Sequence, residues 1–210
     1  MKIFVVRHGE TAWNKEEVFR GRKDIPLNET GLWQAGRTGA FFSDKHVSSI
    51  YSSPLGRAQQ TACKISEATG VPVKVDESYT DMDFGPWEGL SLKAVQKRYA
   101  EAFDTWRRSP HRFRIEGAET LTRVRRRVRR GLRSAQSGGG PTVVIVTHRV
   151  ICKLLALHFL GVPNRFFWRI KCDPASITLA EQVGEEITVS MVNQTLHLQD
   201  PAVCSAYRDF

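Results

Sequence analysis

Three apolar runs in this 210-residue sequence end on residues able to grip a phosphate. Ile3-Phe4-Val5-Val6 stops on Arg7-His8-Gly9. The run Ile50-Tyr51-Ser52-Ser53 leads through Pro54 to Arg57, and Thr142–Val146 stops on Thr147-His148-Arg149. Arginine presents a planar fork that matches a tetrahedral oxyanion bidentately. Arg57 also falls near a helix amino terminus, where unpaired N–H groups favour anions. Singly, each signal has an ordinary reading: His8 as a satisfied strand-end histidine, Arg57 as a surface ion-pair partner, His148 as a core histidine. Ligands of open α/β sheets sit beyond the carboxyl ends of the strands. Two histidines and at least two arginines converging there predict a phosphate pocket.

The elements that must position them follow from hydrophobic period and punctuation. Residues 2–6 read as a short buried strand, with a turn at Gly9. Asn28 is placed to cap a helix over "NETGLWQAGRTGAFFSD", and "SSIYSS" is a second strand. "PLGRAQQTACKISEAT" reads as a helix with Pro54 near its first turn and a stop before Gly70. "VPVKV" is a third strand, "DMDFGPWEGL" (81–90) a loop, and two helices are expected over roughly 91–107 and 118–136. "SGGGP" (137–141) reads as a flexible connector into "TVVIVTH", an unbroken apolar strand of the kind buried on both faces. The helix "RVICKLLALHFLG" and two strands around Gly184 close the chain. Strands alternating with helices predict an α/β fold, a three-layer α/β/α sandwich around a mostly parallel sheet. Residues 1–210 read as a single domain, with 81–120 as the candidate lid or insertion.

With 41% hydrophobic and 25% charged residues, the composition is that of a globular protein. The four-residue apolar run at the amino end is too short for a signal peptide, and no stretch is long enough to span a membrane. A cytoplasmic protein with no membrane partner is expected. Cys63, Cys152, Cys172 and Cys204 are far apart, so free thiols are expected and zinc ribbons or a disulfide framework are not. The net charge of +9 attracts anions in general. Much of it lies in "TLTRVRRRVRRGLRSAQ", where Leu121, Val124, Val128 and Leu132 form one apolar helix face. The arginines on the other faces read as solvated surface. No aromatic residues interleave them, so a nucleic-acid partner is not expected.

"RHGETAWN", "YSSPLGRAQQTA", "DFGPWEG" and "VTH", in this order, resemble the histidine phosphatase superfamily, also called phosphoglycerate mutase-like. The resemblance runs from Lys2 to about Leu198 and implies the same three-layer fold. It implies that His8 is a nucleophile taking the phosphoryl group on an imidazole nitrogen. Arg7 and Arg57 become the phosphate clamp and His148 the second pocket histidine. Asn14, Arg20, Gly21, Thr147 and Arg149 are assigned to substrate binding, Arg149 standing where many relatives have glycine. A neutral imidazole suits phosphorus attack near pH 7, and fixed cations supply the charge, so neither metal nor cofactor is implied. Relatives place a glutamate acid where this chain has Asp81, one methylene shorter; Asp83 and Glu88 compete in the same loop.

The short "SPHRFRIEGAETL" segment, "CDPAS" (172–176) and the ending "VNQTLHLQD" are similar to the small-metabolite phosphatases of the superfamily, including metal-independent phosphoserine phosphatases. Hydrolysis of a small phosphorylated metabolite is therefore the expectation. The alternatives are a cofactor-dependent phosphoglycerate mutase and a catalytically weak phosphate-binding or regulatory module. His111 is either a contact to the substrate's non-phosphate end or a surface-loop histidine. A homodimer is the expectation by analogy.

Overall fold

The computed structural model describes residues 1–199; Cys204 and the end of the expected domain lie outside them. Six strands form one sheet: β1 (Lys2–Arg7), β2 (Ser49–Ser52), β3 (Val73–Val75), β4 (Thr142–Thr147), β5 (Ile177–Val183) and β6 (Glu186–Gln194). Their order is β3-β2-β4-β1-β5-β6, with the first four parallel and β5 antiparallel to both of its neighbours, β1 and β6. Parallel neighbours need crossover helices, and alternation of side chains lets one strand feed two cores. Phe4 and Val6 of β1, with Val144 and Val146 of β4, face α2 (Glu29–Phe42) and α3 (Gly56–Thr69). Ile3, Val5, Val143 and Ile145 face the opposite way, onto α6 (Leu121–Gly138) and α7 (Arg149–Phe159). The result is the three-layer sandwich that the alternating pattern predicts.

Local signals set most boundaries. Asn28 accepts a hydrogen bond from Gly31 N at 2.8 Å and starts α2, while Gly70, at φ 73°, ends α3 in the left-handed conformation. Three boundaries depart from the sequence reading. A four-residue helix, α1 (Ala12–Lys15), stands where a loop was expected. Its turn is closed by Thr11 and Asn14, whose short polar side chains bond the local backbone. The helix expected over 91–107 is two, α4 (Leu92–Arg98) and α5 (Ala100–Arg108), broken where the Tyr99 ring turns in toward Trp87. The glycine-rich connector is partly helix: α6 runs through Gly138, and the turn falls at Gly139 and Gly140. At Gly139 a Cβ would lie 2.3 Å from the Ala135 carbonyl oxygen, and Gly140 adopts φ 77°.

Residues 81–120 pack into the core shared by α6 and α7. Met82, Phe84, Trp87, Val95, Trp106 and Phe113 are buried there. Trp106 is central, with ring centroids 5.2–5.4 Å from Phe84, Phe113, Phe167 and Trp168. Aromatic packing of this kind fixes these short helices and the loops between them through area and ring geometry. Among the described residues no helix is long and apolar enough to cross a membrane.

Candidate active site

The order β2-β4-β1 sets the three strand ends side by side. Arg7 is the last residue of β1, His148 caps α7 directly after β4, and Arg57 stands in the first turn of α3 after β2. All are withdrawn from solvent: His8 is 1% exposed, Arg57 0% and His148 0%.

His8 is oriented by its own loop. Its Nδ1 lies 2.6 Å from the Gly9 carbonyl oxygen. A carbonyl can only accept, so Nδ1 carries the proton and Nε2 keeps its lone pair. Burial, then Arg57, Arg7 and Arg20, hold the imidazole well below its ordinary pKa of 6.5, so it is neutral at pH 7. The role expected for Gly9, a sharp turn, is replaced by close packing. A Cβ on Gly9 would lie 2.5 Å from Gly31 O, and one on Gly31 would lie 2.0 Å from Glu10 O. The loop carrying His8 thus rests directly on the first turn of α2. Gly9 N also donates to Thr61 Oγ1 of α3 at 3.2 Å.

Arg57 ties the pocket together. Its Nε donates to His148 Nδ1 at 3.2 Å, Nη1 to Lys23 O at 2.8 Å, and Nη2 to Gly21 O at 2.8 Å. Nη2 also reaches Asp81 Oδ2 at 3.4 Å. A guanidinium has no acceptor, so His148 receives at Nδ1 and donates Nε2–H to Ser53 Oγ at 2.7 Å. Burial first, then Arg57 and His8, keep His148 neutral as well, well below 6.5. The helix-terminus contribution expected at Arg57 is preempted in part, because Asp24 Oδ1 accepts the Gly56 N–H at 2.8 Å. Arg7 is held by the "CDPAS" segment: its Nη1 donates to Cys172 O at 2.5 Å and its backbone N to Ser176 O. Its Nε is buried without a partner, a donor left over for a ligand.

A cavity opens beside these groups, with Arg7, Asn14, Arg20, Gly21, Asp81 and Arg149 in its wall. Trp13, Phe84, Phe103 and Trp106 supply its apolar side. His8, Arg57 and His148 are not in its wall; Arg57 and His148 meet it through Asp81, at 3.4 and 3.8 Å, and the His8 and His148 ring centroids are 5.1 Å apart. Arg20 faces inward with a buried, unpartnered Nε; burial, then Arg7, Arg149 and Arg57, lower its pKa. Asn14 Oδ1 accepts from Thr11 N and Oγ1, both at 2.9 Å, so its oxygen serves the loop and its amide is left for the cavity. Gly21, at φ 50°, holds Arg57 through its carbonyl; a Cβ there would collide with Glu88 at 1.9 Å. Thr147 is not in the wall. Its hydroxyl donates to Tyr79 O at 2.6 Å and its carbonyl receives His8 N at 2.9 Å, so it positions rather than touches.

The three candidate acids separate by geometry. Asp81 alone lines the cavity, with Oδ2 3.8 Å from His148 Nδ1 and Oδ1 accepting from Met82 N. Asp83 folds back onto Gly85 N at 2.8 Å. Glu88 accepts from Arg22 N and Phe84 N, and burial raises its pKa. Three positioning residues were not foreseen. Arg127 donates to the carbonyls of Ser78, Thr80 and Asp81 and pairs with Glu119 at 3.0 Å. Glu119 in turn accepts from Asp83 N at 3.1 Å. Arg127 thus leaves the set of solvated arginines on α6; lying three residues after the buried Val124, it faces inward. Ser53, which orients His148, is also new. His111 lies away from this cavity, against α6.

The profile describing the "Histidine phosphatase superfamily (branch 1)" matches residues 3–195. This chain belongs to that superfamily. It is 33% identical over 199 residues to phosphoserine phosphatase 1 of Hydrogenobacter thermophilus, covering 94% of each chain. Among solved structures, Bacillus stearothermophilus YhfR superposes with a TM-score of 0.90 at 30% identity, over 94% of this chain and 99% of the other. A mycobacterial glucosyl-3-phosphoglycerate phosphatase complexed with VO3 gives 0.86 at 25% identity, over 92% and 99%. Membership in the superfamily and its phosphatase-named relatives support an enzyme with phosphatase activity.

Proposed function

We propose that this histidine phosphatase hydrolyses a small phosphorylated metabolite through a phosphohistidine on His8. The observation that carries the reading is the Nδ1–Gly9 contact, which leaves an unprotonated Nε2 among arginines. Nε2 attacks phosphorus while Arg7 and Arg57 balance the charge on the phosphoryl oxygens. The P–O ester bond breaks, and Asp81, as general acid, delivers a proton to the leaving alkoxide. A water molecule then attacks the phosphohistidine, returning a proton to Asp81 and releasing phosphate and free His8. His148, neutral and donating to Ser53, holds Arg57 Nε in line rather than adding charge.

Arg107 and Arg149 also line the cavity and stand over the Trp168 ring, 5.5 and 5.8 Å from its centroid. Cations in that wall favour a substrate with a second anionic group, and Phe84, Leu92, Phe103 and Trp106 of segment 81–120 line the same cavity. The proposed assay measures phosphate release from O-phosphoserine and 3-phosphoglycerate, the latter with and without 2,3-bisphosphoglycerate. Release from at least one of them, faster than any isomerisation, supports hydrolysis. Isomerisation outpacing release supports the mutase reading and overturns this one.

The pH profile has a stated direction. The active form of His8 is deprotonated, so kcat/KM falls as acid protonates it, and its lowered pKa moves that fall to lower pH. The acid limb set by His8 is therefore expected below pH 6.5. An acid limb centred near 6.5 would contradict the buried, arginine-flanked imidazole.

A further inference from the structure

A second concave surface lies between α6 and the segment after α7, and it shares no wall residue with the catalytic cavity. It measures about 630 Å³, within the range of small-ligand sites. Arg125, Arg126, Arg129 and Arg133 line it from α6, Arg165 from the facing segment, and His111 from the loop before α6. Among the described residues no aspartate or glutamate lines it, and none of these arginines is in an ion pair.

We propose that this groove is a binding site for a compact oligophosphate, a chain of two or more linked phosphate groups. Arg125, Arg129 and Arg133 recur every four residues, so their origins span about 12 Å of one helix face, too far for a single phosphate to engage all three. Arg125 is pre-set, its Nη1 donating to Asn164 Oδ1 at 2.8 Å and Val162 O at 3.2 Å. The Arg165 guanidinium rests 4.7 Å from the Phe166 ring centroid. His111 Nδ1 is buried without a partner, a polar atom unsatisfied in the ligand-free groove. The field of these cations is felt by His158 nearby, whose pKa is lowered by burial and then by Arg129, Arg125 and Arg133. Like charges held together without carboxylates repel, and a polyanion is the partner that relieves this. Among the described residues no Phe, Tyr or Trp lines the groove, so it lacks the stacking platform that single-stranded nucleic acids use.

Calorimetric titration of the full chain with inorganic tripolyphosphate tests this, with inhibition of p-nitrophenyl phosphate hydrolysis reporting the catalytic cavity separately. Two binding events are expected. The double substitution Arg129→Ser, Arg133→Ser should weaken the event not seen in the inhibition assay by at least tenfold, leaving turnover and inhibition unchanged. Both positions are exposed, so the fold does not depend on them. His111→Phe, which removes the unsatisfied nitrogen from the other wall, should weaken the same event. A single event matching the inhibition constant, or two events unchanged in the variants, would overturn the proposal. So would a single-stranded oligonucleotide binding more tightly than tripolyphosphate at equal ionic strength, which would make the groove a nucleic-acid surface.

Discussion

Replacing His8 with alanine is expected to lower phosphate release by a factor on the order of 10⁴ to 10⁶, the scale seen when a covalent nucleophile is removed from its catalytic unit. The loss should appear in kcat, with little change in substrate affinity. The clamp explains why: Arg7 is anchored by Cys172 O and Ser176 O, and Arg57 by Gly21 O and Lys23 O, none of which involves the His8 ring. Anion binding therefore outlasts the nucleophile. A phosphate-binding module without catalysis would behave differently, since wild type and His8→Ala would release phosphate equally slowly.

The second large effect is at Asp81. Asp81→Asn keeps the side chain's size and removes the proton that the leaving group needs. A loss of about 10²- to 10⁴-fold is expected with an alkyl phosphate such as O-phosphoserine. With p-nitrophenyl phosphate, whose leaving group needs little protonation, the first step should be nearly spared. That contrast separates an acid from a brace. Asp81 also contacts Arg57 Nη2, and if this contact were its whole contribution both substrates would suffer alike. Assigning the role to Glu88 instead would require both its N–H contacts, from Arg22 and Phe84, to be given up.

Much of the fold was legible because its signals are local. Asn28 and Gly70 mark helix ends through their own backbone chemistry, and the unbroken apolar run of β4 announces a strand covered on both faces. The convergence of Arg7, Arg57 and His148 was legible for a different reason: each follows an apolar run, and parallel strands bring such ends together. What escaped depends on contacts distant in sequence. Arg127 meets the carbonyls of Ser78, Thr80 and Asp81 across more than forty residues, and nothing in an arginine-rich helix distinguishes it except its offset from Val124. Gly9 reads as a turn residue until Gly31 is seen against it. Thr147, adjacent to His148 in sequence, points its hydroxyl at Tyr79 O because successive residues of a strand face opposite ways. His111 could not be placed by motif, since the groove it lines is formed by α6 and residues 163–165.

The central claim, that His8 Nε2 carries the phosphoryl group, is tested most directly by acid-free rapid quenching of the enzyme with a ³²P-labelled substrate. The expected result is transient label on His8, stable to base and labile to acid, formed at least as fast as phosphate is released and absent from His8→Ala. Steady phosphate release with no label on His8, or undiminished release by His8→Ala, would contradict it.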